Sequence, residues 1–424
     1  MPGSSTSRRG GTGKARAGDH PRMRPFRKTI SLDSARRIIA RAIRPIDRTE
    51  TVQLHRAAGR VLARRVDAQA DVPPFSRAAM DGYAVRAADT TGATRRKPRA
   101  LQRVATVYTG QVASRPLAAG ECIEIATGAP LPAGADAVVM VEETTIDESG
   151  TVSILAPATE RQNVGRQGAD IQNGQTVLQV GAFLNASRVG ALAALGLTAV
   201  EVYAQPAVAI LSTGNEIVAP GRPLGPGQIY DINRFTVSAV VAANGCVAVP
   251  YRTAADTLDD LSRAVDDCLE RDVLVFSGGS SVGERDLVTD VITRKGDVLF
   301  HGVAVKPGKP TSFGRIGDRL VFGMPGYPTS CLSNAYIMLA PALRQLARLP
   351  EPIASSVRLP LGARVTSAPG RHQFYTLRLE KGTAMPAFKA SGDITSMSQA
   401  DGYIEIPAEV DVVEEGEQVE VRFF

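Results

Sequence analysis

Residues 205–348 alternate short apolar runs with helical patterns, and this alternation constrains the fold more than any other feature of the sequence. Helices of moderate length between apolar strands are typical of a parallel sheet that is covered on both faces. We therefore predict a doubly wound α/β domain. The predicted strands lie at 208–211, 247–251, 273–276, 298–305 and 319–323, and the predicted helices at 234–243, 258–269, 287–293 and 329–347.

Three unusual loops follow predicted strands of this domain, at 212–216, 277–286 and 306–310. In an open α/β sheet, ligands bind beyond the carboxyl ends of the strands. The glycines of the second loop allow backbone N–H groups to face an anion, its serines add donors, and a helix begins directly after it. Asp286 ends that loop, where a carboxylate could hold a cation that bridges phosphates.

The third loop, Lys-Pro-Gly-Lys-Pro, carries Lys306 and Lys309 on a short, stiff turn that suits a phosphate or another oxyanion. Each loop also has an ordinary explanation, because glycine-rich turns are common and two lysines can form a solvated turn. Their joint placement at three strand ends of one sheet favours a functional edge.

The rest of the chain divides around this domain. Ser31 can cap a helix that runs to about residue 43, and a helical pattern at 187–195 could pair with it as a connecting layer. Glycine and proline punctuate short apolar runs between the two helices and again after residue 350, which predicts two β modules, the second a small barrel. The predicted parts are a tail (1–29), domain I (30–67 and 174–204), an inserted β domain II (68–173), domain III (205–348) and domain IV (349–424).

The segment 71–85 contains the dipeptide Asp81-Gly82 after a stiff pair of prolines. On composition alone, this dipeptide predicts a hairpin turn in which Asp81 only bonds its own backbone.

The net charge of +6 resembles that of a nucleic-acid-binding protein, but its distribution argues against that function. Residues 1–29 carry eight lysines and arginines against one aspartate, so the remainder has a net charge of −1. We interpret the tail as a disordered extension. No apolar stretch is long enough for a membrane span or a secretory signal, so we expect a cytoplasmic protein.

The four cysteines and four histidines are scattered, which argues against a zinc site. A metal here would be held mainly by oxygen ligands, which favours magnesium.

Several of these segments, in this order, resemble the MoeA family of molybdopterin molybdenumtransferases, which includes the E domain of gephyrin. The resemblance spans about residue 30 to the C-terminus. The matching segments are 79–84 (AMDGYA), 127–129 (TGA), 168–171 (GADI), 212–216 (STGNE), 227–231 (GQIYD) with Asn233, 277–286, 306–310 and 323–326 (GMPG).

The resemblance implies a homodimer of four-domain subunits, with each active site between the β domain of one subunit and the α/β domain of its partner. It implies an enzyme that inserts molybdate into adenylated molybdopterin, releases AMP and makes transient contact with other proteins of cofactor synthesis. By position, the implied catalytic residues are Asp81, Thr127, Glu216 and Asp286. Glu216, Asp286 and Asp256 would bind Mg²⁺, with Asp170 as a possible further acid. The implied substrate-binding residues are Ser277, Gly278, Gly279, Ser281, Lys306, Lys309, Pro325 and Pro328.

The chain departs from the family pattern at three positions. Tyr327 stands where the family usually has asparagine, beside the expected pterin pocket. Asn215 replaces an aspartate, and Ser280 replaces an apolar residue. A single-domain molybdopterin adenylyltransferase, a receptor scaffold, and a divergent copy that serves tungstate are the alternatives to a molybdate insertase.

Overall fold

The computed structural model describes residues 3, 29–254, 257–278, 287–352 and 355–424. The chain forms two compact units, one comprising Met1–Asp47 and Ala204–Phe424 and the other Arg48–Tyr203. The second unit is therefore inserted into the sequence of the first. No helix in the described ranges is long and apolar enough to cross a lipid bilayer.

The first helix, α1 (Leu32–Ala42), begins where the sequence predicts. The hydroxyl of Ser31 accepts a hydrogen bond from the backbone N–H of Ser34 at 3.2 Å, which satisfies a donor of the first turn. Leu32, Ala35 and Ile39 lie on one face and pack into the core of the α/β unit.

The helix predicted at 187–195 is observed as Ala186–Ala194 in the inserted unit, where Leu192 packs in a separate core. The two helices therefore belong to different compact units and do not share one core. The division into four domains stays a prediction.

The inserted unit is rich in short strands, as the punctuation by glycine and proline predicts. In chain order its elements are β1 (Thr49–Gln53), β2 (Val66–Asp67), β3 (Arg77–Ala78), β4 (Gly82–Val85), β5 (Arg99–Val107), β6 (Glu121–Ile125), β7 (Ala137–Met140), β8 (Thr144–Ile146), β9 (Thr151–Ile154), β10 (Val164–Gly165), β11 (Thr176–Leu178), α2 (Ala186–Ala194) and β12 (Ala199–Tyr203). Six of these strands form one sheet in the order β7-β4-β6-β5-β9-β8, and the short pairs β1–β12, β2–β11 and β3–β10 lie outside it.

Strand β4 is buried along its whole length, between β6 and β7. Successive side chains point to opposite faces, so Tyr83 and Val85 enter one hydrophobic cluster and Ala84 enters another. A Cβ atom at Gly82 would lie 1.9 Å from the carbonyl oxygen of Val139, a separation that real Cβ atoms do not reach. Glycine is therefore required where the segment containing Asp81 enters the sheet.

The α/β unit contains a six-stranded sheet in the order β16-β13-β17-β21-β20-β18. Its elements are β13 (Ala207–Ser212), β14 (Ile217–Val218), β15 (Ile229–Tyr230), α3 (Asn233–Ala243), β16 (Val247–Pro250), α4 (Leu258–Cys268), β17 (Val273–Ser277), α5 (Leu287–Lys295), β18 (Asp297–His301), β19 (Val305–Lys306), β20 (Ser312–Ile316), β21 (Arg319–Met324), α6 (Pro328–Asn334) and α7 (Ala340–Leu346). A π-helical turn, Ala335–Leu339, joins α6 to α7.

Four neighbouring strands, β16, β13, β17 and β21, are parallel, and β20 and β18 complete the sheet by antiparallel pairing. Helices cover both faces, as predicted. Val208 and Ile210 of β13 pack with residues of α1, α3, α6 and α7, whereas Ala209 and Leu211 pack with residues of α4 and α5. Because both faces of β13 are buried, its sequence is a continuous apolar run.

The C-terminal module forms another six-stranded sheet, in the order β19-β24-β26-β28-β22, with β25 paired to β24. A single bridge between Leu361 and Ala384 joins the end of β22 to β25, which closes the sheet into the predicted small barrel. Its elements are β22 (Ser356–Pro360), β23 (Val365–Thr366), β24 (His372–Glu380), β25 (Thr383–Pro386), α8 (Thr395–Ser398), β26 (Gly402–Ile406), β27 (Val412–Val413) and β28 (Gln418–Phe423).

The strand predicted at 298–305 is divided between the two sheets. Strand β18 ends at His301, and β19 pairs in parallel with β24 of the C-terminal module. The apolar side chains continue through Val303 and Val305, both buried, so the sequence pattern does not reveal that the hydrogen-bonding partner changes.

Candidate active site

The carboxyl ends of β13, β17 and β21 lie side by side, so residues distant in sequence meet at one edge. Ser212 is in register with Ser277, and Ser277 is in register with Met324. The hydroxyl of Ser277 donates to that of Ser212 at 3.4 Å, and both side chains are buried. The sequence predicted this convergence for the loops that start at 212 and 277, and the structure confirms it.

Thr213 and Gly278 continue from these strands and are in close contact. Gly278 has φ +97°, and a Cβ atom there would lie 2.4 Å from the carbonyl oxygen of Thr213. Only glycine allows this approach. The side chain of Thr213 is 3% exposed, and its Oγ1 has no hydrogen-bond partner among the described residues. A buried hydroxyl of this kind is a candidate contact for a ligand.

The loop after β21 packs against the same edge. A Cβ atom at Gly326 would lie 3.5 Å from the Cα of Gly278, and the Asn233 amide donates to the Gly326 carbonyl at 2.8 Å. Pro325 is buried, and Pro328 is the first residue of α6. The side chain of Tyr327 between them is 66% exposed, so the family's asparagine position carries an accessible phenol here.

Glu216 lies in the loop after β13 and is exposed. Its carboxylate folds over Gly214, where a Cβ atom would lie 2.7 Å from both carboxylate oxygens. Gly214 has φ +137°, a backbone conformation that side chains disfavour. The loop therefore places one carboxylate close to its own backbone at the carboxyl end of β13.

The lysine loop, residues 306–310, begins in β19, beyond the end of β18. Lys306 and Lys309 are both half-buried. The Lys309 carbonyl accepts hydrogen bonds from the N–H groups of Val303 and Thr311, both at 2.9 Å, and these bonds close the loop on itself. The loop thus lies beyond a strand of the same sheet, as predicted, but its first lysine belongs to the C-terminal sheet.

In the inserted unit, Asp81 and Thr127 are in direct contact. One Asp81 oxygen accepts from the backbone N–H of Thr127 at 2.7 Å and from its hydroxyl at 3.0 Å. These two hydrogen bonds, the backbone one first, lower the pKa of the Asp81 carboxyl, because they stabilise its charged form. The prediction that Asp81 only bonds its own backbone in a turn was therefore wrong.

Four predicted site residues, Gly279, Ser281, Asp286 and Asp256, lie outside the described residues. Within the described part of the chain, no group of three or more histidine, cysteine or acidic residues could hold a metal ion. Magnesium is usually bound by one or two carboxylates together with substrate phosphates. Glu216 offers one such carboxylate at the carboxyl end of β13, which suits this mode of binding.

Two further polar residues lie in or against these loops, and the sequence prediction of the site did not include them. Thr213 was noticed only as part of a motif. Asn334 is fully buried in the closing helix and donates to the Gly308 carbonyl of the lysine loop at 2.8 Å. Helix α6 also contains Thr329, Ser330 and Ser333, so nothing in the sequence distinguished Asn334 from its polar neighbours.

Three family models match the chain in sequence order: the MoeA N-terminal region (domain I and II) over residues 30–196, the probable molybdopterin binding domain over 209–345 and the MoeA C-terminal region (domain IV) over 358–424. Molybdopterin molybdenumtransferase 2 of Mycobacterium tuberculosis is 36% identical over 406 residues, which cover 92% of this chain and 98% of that protein. The chain belongs to the MoeA family.

Other relatives agree with this assignment. The molybdopterin molybdenumtransferase of Haemophilus influenzae is 35% identical over 318 residues, or 75% of this chain and 78% of that one. A solved MoeA structure from Pyrococcus horikoshii is 38% identical with a TM-score of 0.81, and the match covers 93% of this chain and 99% of the other. The MoeA resemblance inferred from short motifs is confirmed, and the nearly full-length matches favour it over a single-domain adenylyltransferase.

Proposed function

We propose that this MoeA chain is a cytoplasmic molybdopterin molybdenumtransferase that inserts molybdate into adenylated molybdopterin, with release of AMP. The observation that carries the proposal is the convergence of three loops at the carboxyl edge of the α/β sheet. Ser277, Thr213 and the Gly326 loop meet there, and the lysine loop follows a strand of the same sheet. Such an edge offers hydroxyls, backbone N–H groups and ammonium groups, which are the groups that bind oxyanions.

Both substrates are anions, so their charges must be offset before they can meet. Lys306 and Lys309 would bind molybdate or the phosphate groups, and the backbone around Gly278 would hold the pterin substrate. Glu216 and Asp286 would hold Mg²⁺, which polarises a phosphoanhydride and neutralises charge on departing AMP when it is bound. Asp81, oriented by Thr127, would assist the chemistry or order the metal site.

The lysine loop gives the direct test of this function. Purified protein is incubated with adenylated molybdopterin, molybdate and magnesium, and AMP and cofactor are measured. We expect Lys306→Met and Lys309→Met each to raise the KM for molybdate by about tenfold or more, because each removes one charge from the oxyanion site. Lys295→Met is the matched control, since Lys295 lies on α5 and pairs with Asp266 at 2.7 Å.

Wild-type protein that forms no AMP under these conditions would reject the proposed function. Equal effects of the three lysine variants would reject the assignment of the loop. The same assay with tungstate tests the alternative of a tungstate-specific copy, which Tyr327 makes worth measuring.

We also propose that the protein is a homodimer. Support comes from the exposed apolar side chains of Ile229, Tyr230 and Phe235, which are 55%, 41% and 57% exposed. Ile229 and Tyr230 are adjacent in the sequence, and exposed apolar patches often mark subunit contacts. Sedimentation equilibrium should give about twice the chain mass of 44.8 kDa, and a concentration-independent monomer would contradict the proposal.

A further inference from the structure

Asn334 is a buried polar residue whose amide is directed at the lysine loop. It is the last residue of α6 and is fully buried. Its Nδ2 donates to the carbonyl of Gly308 at 2.8 Å and to the hydroxyl of Thr311 at 2.6 Å. Both amide N–H groups are therefore used by the segment that carries Lys306 and Lys309.

The contact is tight on the side of the loop. Gly308 has φ +101°, and a Cβ atom there would lie 2.1 Å from the Asn334 Nδ2. The Gly308 carbonyl also accepts from the Thr311 hydroxyl at 2.9 Å, so one oxygen receives two donors. The Lys309 carbonyl already closes the loop by accepting from the N–H groups of Val303 and Thr311. The Asn334 side chain therefore anchors a loop that is already compact.

The helix that contains Asn334 also follows the loop at the end of β21. Helix α6 begins at Pro328, two residues after Gly326, and Gly326 packs against Gly278. Asn334 lies six positions after Pro328, a rise of about 9 Å along the helix. One short helix thus connects the edge formed by the glycines to the loop that holds the lysines.

Asparagine is not the residue that stability alone would favour here. No described residue bonds its Oδ1, which is buried. A buried acceptor without a partner is costly, and apolar packing would avoid that cost. The two donors to the loop are what an apolar residue cannot supply.

We propose that Asn334 is a positioning residue that fixes Lys306 and Lys309 at the oxyanion site. This inference rests on the proposed function of the lysine loop. In this proposal Asn334 does not contact the substrate. Its side chain instead sets the distance between the ammonium groups and the carboxyl edge of the sheet.

The test compares Asn334→Asp and Asn334→Leu, which keep the approximate size but remove the donors. Asn244→Asp and Asn244→Leu are matched controls, because the Asn244 amide donates to a backbone carbonyl, that of Val240, at 2.7 Å in the same unit. We expect the Asn334 variants to raise the KM for molybdate about tenfold with kcat within about threefold, since about tenfold follows from one lost hydrogen bond of ordinary strength. The controls should leave both values unchanged.

Hydrogen exchange of residues 302–311 gives a second measurement that needs no activity. The N–H groups of Val303 and Thr311 should exchange faster in the Asn334 variants and not in the controls. If both Asn334 variants fail to fold, Gly308→Ala tests the same contact from the loop and should raise the same KM.

An unchanged molybdate KM in folded Asn334 variants would overturn the inference, whether or not the loop exchanges faster. An inactive wild-type protein would instead reject the proposed function. In that case hydrogen exchange would still test the contact. Exchange as slow as in the wild type would show that the Asn334 side chain does not hold the loop, and faster exchange than in the wild type would show that it does.

Discussion

Replacing Asp81 with asparagine is expected to lower the rate of cofactor formation by about a hundredfold or more, with little effect on folding. Asparagine retains an oxygen that can accept from the N–H and the hydroxyl of Thr127, so the local hydrogen bonds can persist. The variant loses only the negative charge. Rates measured by AMP release at saturating substrates would report this loss.

The lowered pKa of Asp81 also predicts how its titration affects the reaction rate. Its pKa lies below the ordinary value of 3.8, because Thr127 stabilises the carboxylate. A depressed pKa means that the charged form persists as pH falls until the pH reaches that lowered value. Titration of Asp81 should therefore contribute no loss of rate between about pH 5 and pH 8.

Asp147→Asn is the matched control in the same unit. The Asp147 carboxylate accepts from the backbone N–H groups of Ser149 and Thr151, both at 2.9 Å, and from the Ser149 hydroxyl at 2.7 Å. Its environment thus resembles that of Asp81, but it lies in a tight turn between two strands. Comparable rates for the Asp81 and Asp147 variants would show that Asp81 has no role in the reaction.

Replacing Glu405 with glutamine is expected to destabilise the α/β unit by about 2–3 kcal/mol at pH 7. The Glu405 carboxylate accepts from Arg36 at 3.0 Å, His372 at 2.7 Å and Arg422 at 2.5 Å. Arg36 also donates to the carbonyl of Ile337, so the cluster joins α1 to the π-helical turn and to the C-terminal barrel. Glutamine would leave the two guanidinium groups close together without an anion, and their partial exposure places the cost at the lower end for a buried pair.

Glu405 should also make the wild-type protein sensitive to acid. Burial alone would raise its pKa, but the hydrogen bond from His372 and the positive charges of Arg36, His372 and Arg422 outweigh burial and lower the pKa from 4.5 to about 2. The folded pKa is below the unfolded one, so this contribution is full above pH 4.5 and is lost as pH falls towards 2. A decrease from 4.5 to about 2 corresponds to about 3 kcal/mol.

Urea unfolding at pH 7 and at pH 3 would test both statements. Glu380→Gln is the control, because Glu380 pairs with Arg378 and both side chains are about half exposed. We expect its unfolding free energy to change by less than about 0.5 kcal/mol. The cluster would have no stabilising role if Glu405→Gln and Glu380→Gln unfolded at the same urea concentration.

The sequence predicted the elements whose signals are local. The apolar period of α1, its cap at Ser31 and the runs that became β13 and β17 are each complete within a dozen residues. Because parallel strands place their carboxyl ends at one edge, the meeting of Ser212 with Ser277 followed from those runs.

The features that sequence patterns missed depend on partners distant in the chain. Asp81 and Thr127 are 46 residues apart, and the dipeptide Asp81-Gly82 describes only a turn. The apolar run at 298–305 does not specify that its end pairs with another sheet. Asn334 is one of several polar residues in α6, and only the tertiary structure reveals that it anchors the lysine loop.

Because β19 belongs to the C-terminal sheet, the C-terminal barrel cannot be removed or exchanged without affecting β19. The carbonyl of Ala304 accepts from the backbone N–H of His372 at 2.9 Å, and Ile30 pairs along the other side of the same segment at Val303. A chain cut near residue 350 would lose the strand that borders the first lysine. A C-terminal barrel taken from a relative should therefore be transplanted together with its own version of residues 302–306, because these two stretches form one hydrogen-bonded ribbon.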